Sequence, residues 1–200
     1  MIDWDQWRAD YDSTLYEAQQ EFYSVVWAKY PGQKRFNSTA VQRFFSDLTA
    51  RRVIEVGGWT GEMAALCLGR DPDIQFWRNY EICREAVEHS VVADPRYEAV
   101  SPNWVWDLPT STFAGFDVLV LSHVAEHMRG RNLRSLVSVA TPSVQHVYVE
   151  SPIGPEGRDW IGYHGTHILE CGWNDIDIIF AEAGFGVEPV TKQIRFYHRG

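Results

Sequence analysis

Three residues near the middle of the chain, His123, Glu126 and His127 in "SHVAEHM", have the types and the spacing for proton transfer or for holding a cation. On a turn of helix the i, i+3, i+4 spacing puts all three on one face. Imidazole changes charge close to neutral pH, so a histidine here can take the proton of a hydroxyl that is to become a nucleophile. Further along, "GYHGTHILE" offers His164 and His167. A second group of residues reads as a ligand loop. In "VIEVGGWTGE" an apolar run carries Glu55 at its end and passes into Gly57, Gly58, Trp59 and Gly61. A dinucleotide fingerprint, GxGxxG, fails from either Gly57 or Gly58, and no GxxxxGKS/T phosphate loop is present. Glu62 at the start of the next helix would repel a pyrophosphate that a helix N-terminus otherwise attracts. The ligand expected on this loop is a nucleoside without phosphate.

Both groups need elements that bring them together. From residue 53 onward short apolar runs alternate with helical segments: "RRVIEV", "IQFWRNY", "FDVLVLS" and "HVYVE" read as buried strands, with helices near Glu62 to Leu68, Cys83 to His89, Asn132 to Ala140 and Asn174 to Ala183. Such alternation implies βαβ units, a parallel sheet and right-handed crossovers. The tail "GVEPVTKQIRFYHR" reads as two adjacent strands joined by a turn, so the sheet ends in an antiparallel hairpin. In open sheets of this kind a ligand binds beyond the carboxyl ends of the strands, where the winding direction switches. Residues 1–48 are aromatic-rich, with Trp4, Trp7, Tyr11, Tyr16, Phe22, Tyr23, Trp27 and Tyr30 at loosely helical spacings before the turn at Pro31. They read as a helical cap on a globular unit over 49–200, either packing against its body or forming a lid over a site. Ser38 is the expected N-cap of a helix reaching Leu48.

Composition narrows the classes. With 200 residues and 45% hydrophobic content the chain suits one core. A formal charge of −9 provides no basic footprint for duplex nucleic acid. No apolar run is long enough for a membrane span and the first residues are not a secretory signal, which reads as soluble and cytoplasmic. Cys67, Cys83 and Cys171 form no CxxC pair and read as packing residues.

Taken in order, these motifs resemble those of class I S-adenosylmethionine-dependent methyltransferases over roughly residues 50 to 198. "VIEVGGWTG" is similar to the family's ExGxGxG loop, with Glu55, Gly57 and Gly61 matching and Trp59 in place of the middle glycine. Glu81, in "NYEICREA", stands where the family places an acidic residue on the ribose hydroxyls, a task that suits a carboxylate because it accepts two hydrogen bonds from a vicinal diol. Trp104, Trp106 and Asp107 match the stretch near the adenine, and Ser122 closes the strand before "HVAEH". The resemblance implies a Rossmann-like three-layer α/β sandwich, a mostly parallel seven-stranded sheet with the C-terminal hairpin, and S-adenosylmethionine as cofactor. It implies cofactor binding by Glu55, Gly57, Gly58, Trp59, Gly61, Glu81, Trp106, Asp107 and Ser122. Gly58 is expected to take the unusual dihedral of the loop, leaving the Trp59 indole beside the methionine end of the cofactor or packed on the amino-terminal helices.

Some relatives, the ubiquinone-pathway O-methyltransferases and the small-RNA 3′-terminal 2′-O-methyltransferases, carry ExxEH at the second site and bind a divalent metal there. By that resemblance His123, Glu126, His127 and His167 are a metal set, and three imidazoles with one carboxylate suit Zn, Fe, Mn or Co better than Mg. Without a metal, His123, His127 or His167 serves as general base. No NPPY-like motif for amide nitrogen is present, which favours O-methylation. The loop "SPIGPEGRDWIGYHGTH", with Arg158, Asp159, Trp160 and Tyr163, suits a sugar or another small polyhydroxylated acceptor. The expected activity is therefore methyl transfer to a small-molecule or glycan hydroxyl. Metal-dependent 2′-O-methylation of an RNA 3′ end and a noncatalytic binding or assembly protein of the same fold are the alternatives.

Overall fold

A computed structural model describes residues 23–28, 36–49, 52–101, 108–152 and 172–200. The aliphatic runs become strands Arg52–Val56 (β1), Phe76–Tyr80 (β2), Tyr97–Val100 (β3), Val118–Ser122 (β4), His146–Glu150 (β5), Gly186–Pro189 (β6) and Ile194–His198 (β7). β4 is buried at every position, as a central parallel strand covered on both faces must be. β3 is the one strand that no apolar run announces. Its sequence YEAV lies at the sheet edge and is mostly half-exposed.

The strand order is β3-β2-β1-β4-β5-β7-β6. β1 pairs in parallel with β2 on one side and β4 on the other, β4 pairs in parallel with β5, and β7 runs antiparallel to both β5 and β6. The chain moves outward from β1 to β3 and then returns across β1 to β4, which makes the β1/β4 boundary the switch point.

Helices pack around the sheet: residues 23–28 (α1), Ser38–Ser46 (α2), Glu62–Leu68 (α3), Arg84–Glu88 (α4), Gly130–Ala140 (α5) and Trp173–Glu182 (α6). Alternate strand residues divide the core. Ile54, Val56, Leu119, Leu121, Val147 and Val149 pack with apolar residues of α5 and α6. Val53, Trp77, Val118, Val120 and Tyr148 pack with Val41, Phe44 and Phe45 of α2 and Met63, Ala64 and Cys67 of α3. Ser38 is not the cap of α2. Asn37 is, its Oδ1 accepting from Ala40 N at 3.0 Å, because Ser38 already has helical geometry and only an extended residue before it can turn its side chain back on the first turn. At the other end of the sheet Arg199 donates to Thr141 O and Ala183 O, satisfying carbonyls beyond the ends of α5 and α6. Among the described residues no helix is long and apolar enough to cross a membrane.

At the amino end of β5, far from the carboxyl ends of the parallel strands, His146 faces His198 across the ladder with Nδ1 to Nδ1 at 3.0 Å. Burial and the neighbouring His198 hold His146 below the ordinary histidine range, with Asp117 pulling the other way. A depressed pKa means that the unfolded chain takes up the proton first as pH falls, so this contribution to stability is whole above the ordinary range and is lost on acidification. Thermal melts should therefore show a fall in midpoint between about pH 7.5 and about pH 5.5 that His146→Asn makes smaller. An equal fall in the variant would remove His146 as the cause.

Candidate functional site

The loop after β1 is built around backbone requirements at residues 57, 58, 59 and 61. Gly57 has φ 71° and donates to Tyr80 O at 2.8 Å, extending the β1/β2 ladder by one bond. Gly58 N donates to Asn79 Oδ1 at 2.9 Å, and Trp59 N donates to Glu81 Oε2 at 2.8 Å. Asn79 Nδ2 returns a bond to Trp59 O at 3.1 Å. Gly61, at φ 88°, opens α3.

Gly58 does not play the role expected of it. It does not adopt positive φ; the left-handed residue is Trp59 itself, at φ 53°. Such a conformation in a bulky residue costs about 1 to 3 kcal/mol, and it persists where surrounding bonds over-determine it. Gly58 is needed for a different reason: a Cβ there would come within 2.6 Å of Asn79 Oδ1 and of Glu55 Cδ. The Glu55 carboxylate lies directly beneath the loop, 1% exposed, and accepts from Trp77 Nε1 at 2.9 Å. Glu81 is likewise buried at the end of β2, and its second oxygen accepts from Cys83 N at 2.9 Å. Ser122, at the carboxyl end of β4, is fully buried, and its Oγ finds no hydrogen-bond partner among the described residues. An orphaned hydroxyl at this depth is costly unless something polar reaches it.

Beyond β4 the chain does not enter a regular helix. His123 is left-handed at φ 51°, and Ala125–His127 form a single 3-10 turn. The turn of α-helix on which the three would share one face does not form here, and the three side chains converge through the 3-10 turn instead. Glu126 Oε1 lies 3.6 Å from His123 Nδ1 and 4.0 Å from His127 Nε2, and Glu126 Oε2 accepts from Ser151 Oγ at 2.6 Å. Burial pushes the Glu126 carboxyl up, but His123, His127 and Ser151 outweigh it and hold the pKa at about 2. Glu150 also stays below its ordinary range despite burial, through His123, Tyr148 and the Asn37 amide.

α1 lies against this end of the sheet. The Trp27 ring is 5.3 Å from those of both Trp59 and His89, and Ser24 Oγ donates to Glu85 Oε2 at 2.9 Å. Tyr23 meets the His127 ring edge-on at 6.3 Å, and its carbonyl accepts from Cys83 Sγ. Residues beside the ends of β1, β2 and β4 are therefore touched by residues 23–28.

Of the residues expected from sequence, Glu55, Gly57, Gly58, Trp59, Gly61, Glu81, Ser122, His123, Glu126 and His127 all sit at or just beyond the carboxyl ends of β1, β2 and β4. Trp106, Asp107 and His167 lie outside the described residues, as do Trp104, His164 and most of the 151–167 loop. Among the described residues no group of three or more His, Cys, Asp or Glu side chains is arranged to hold a metal ion. Two residues of the site were not anticipated. Asn79 was hidden in a run read only as a buried strand. Glu150 ends "HVYVE" as Glu55 ends its own run, and that parallel was the available signal.

No protein-family model matches the sequence, and no curated protein matches it. Solved structures do. An O-methyltransferase family protein from Burkholderia thailandensis is similar at TM-score 0.62 and 19% identity, over 82% of this chain and 55% of that one. The N-terminal domain of EvdMO1, solved in the presence of S-adenosylhomocysteine (SAH) and D-fucose, is similar at 0.61 and 16%, over 82% of each chain. Magnesium protoporphyrin IX methyltransferase from Synechocystis PCC 6803 with bound SAH is similar at 0.65 and 11%, over 92% of this chain and 99% of that one. The chain spans about half the length of PhzM and of the Burkholderia protein. The fold is thus the class I methyltransferase fold expected from the motifs.

The loop geometry makes a local prediction. Asn79→Ala removes the acceptor of the Gly58 amide and the donor to Trp59 O, at a cost of about 1 to 3 kcal/mol for the groups left buried. Hydrogen exchange at the Gly58 amide should accelerate while the amides of β4 and β5 keep their protection. Unchanged exchange at Gly58 would show that Asn79 does not hold the loop.

Proposed function

We propose that this protein transfers a methyl group from S-adenosylmethionine to a hydroxyl of a small polyhydroxylated acceptor. The observation that carries the reading is the buried polar tier around the switch point: Glu55, Glu81 and Ser122 at the ends of three neighbouring strands, beside a loop whose amides Asn79 and Glu81 hold. The orphaned Ser122 Oγ supports the fit, since it is a buried polar atom in want of a partner where the fold binds its ligand. In this reading Glu81 holds the ribose hydroxyls, its carboxylate already oriented by the Trp59 and Cys83 amides. Ser122 and the backbone of residues 57–61 hold the amino-acid end. When bound, S-adenosylmethionine supplies an electrophilic methyl group on a sulfonium centre.

The chain's own residues supply the rest. His123, Glu126 and His127 stand just beyond β4, beside the expected methyl position, and give the acceptor's proton a place to go. Their buried carboxylate keeps the two imidazoles in place, so that the acceptor oxygen meets an oriented cluster. α1 packs over Cys83 and beside Trp59, which excludes water from the cofactor side. The acidic surface charge favours a neutral or cationic acceptor over a polyanion.

Titration calorimetry with S-adenosylmethionine and with SAH tests the reading. Saturable binding to both is expected, with Glu81→Ala weakening it by about tenfold or more, equivalent to the loss of about 1.4 kcal/mol, while the fold stays intact. If the folded protein binds neither ligand, the enzymatic reading fails, and Trp59 becomes a plug in a noncatalytic member of the fold.

A further inference from the structure

We infer that Glu150 positions His123 in the site, an inference that rests on the proposed function only in treating His123 as part of the reacting cluster. Three contacts support it. His123 N donates to Glu150 O at 2.7 Å, one residue past the last β4/β5 pair, Ser122 with Glu150. That bond anchors the amide of a residue whose backbone is left-handed. Glu150 Oε1 stands 3.8 Å from His123 Nε2, while Glu126 Oε1 stands 3.6 Å from Nδ1. Each ring nitrogen thus faces a different buried carboxylate. Turning the ring away would leave both carboxylates without that cation-capable neighbour, a costly outcome at this depth.

Glu150 is itself immobilised. Its side chain accepts from Tyr148 Oη at 2.7 Å and from Asn37 N at 3.0 and 3.1 Å, and the residue is 6% exposed. Asn37 is also the N-cap of α2. One carboxylate therefore joins the entry of α2 to the orientation of His123. The distances to the ring exceed those of direct hydrogen bonds, so Glu150 acts on His123 through charge and steric alignment.

The test is spectroscopic and needs no acceptor. In protein labelled with ¹³C-histidine, the His123 ring cross-peak is the one that His123→Gln removes. Glu150→Gln, which keeps the shape and removes the charge, is expected to shift that cross-peak while those of His146 and His198, at the opposite end of the sheet, stay in place. Glu150→Asp, which keeps the charge and withdraws it by one methylene, is expected to shift the peak less. An unmoved His123 peak in folded Glu150→Gln would overturn the inference, as would a shift shared by His146 and His198. If Glu150→Gln does not fold, Glu150→Asp carries the test, and an unmoved peak there overturns it. SAH titration of the same samples reports separately on the methyltransferase reading, since loss of binding in the wild-type protein leaves the His123 result standing.

Discussion

The pinning of one loop to the end of the neighbouring strand is the constraint on which the rest of the site depends. Backbone amides at the end of β1 have no ladder partner once the strand stops, and buried amides must be satisfied. Asn79 and Glu81, alternate residues at the end of β2, take the amides of Gly58 and Trp59. That pair of bonds sets the turn, and the turn sets where α3 begins and which way the Trp59 side chain leaves the loop. The Glu55 carboxylate beneath completes the arrangement, which is why no side chain fits at position 58.

The same loop explains the position of α1. The described part of α1, residues 23–28, is tied to the body by side-chain contacts. Trp27 against Trp59 and His89, Tyr23 against His127 and Ser24 on Glu85 are those contacts. Aromatic pairs contribute about 0.5 to 1.5 kcal/mol each beyond area burial. A strained tryptophan where the related motif has glycine thus gives α1 an aromatic surface beside the carboxyl ends of the strands.

Trp59 and His123 are the only non-glycine residues with positive φ among those described. They sit beyond the carboxyl ends of β1 and β4, the two strands that meet at the switch point. Strain of this kind clusters where surrounding structure over-determines a conformation for function. On the β1 side Asn79 and Glu81 over-determine it; on the β4 side Glu126 and Glu150 flank the ring, and the Glu150 carbonyl takes the backbone amide. The two halves of the site are held by side chains of opposite neighbours, β2 for the loop and β5 for the imidazole.

Periodicity and composition were enough to establish the strand and helix alternation and the antiparallel tail, because apolar runs and glycine turns are local signals that burial enforces. The edge strand β3 was not legible, since four residues of which none is buried carry no such signal. The candidate residues of the loop and of "HVAEH" were also legible as types. Their conformations were not. Whether position 58 or 59 takes positive φ depends on where Asn79 and the Glu55 carboxylate stand, and Asn79 comes from another strand. The gathering of His123, Glu126 and His127 depends on a 3-10 turn and on Glu150, 27 residues beyond His123, in a register that only the pairing of β4 with β5 establishes. Local sequence determined which groups were present, and long-range hydrogen bonding decided how they face one another, because buried polar atoms must find partners wherever the fold supplies them.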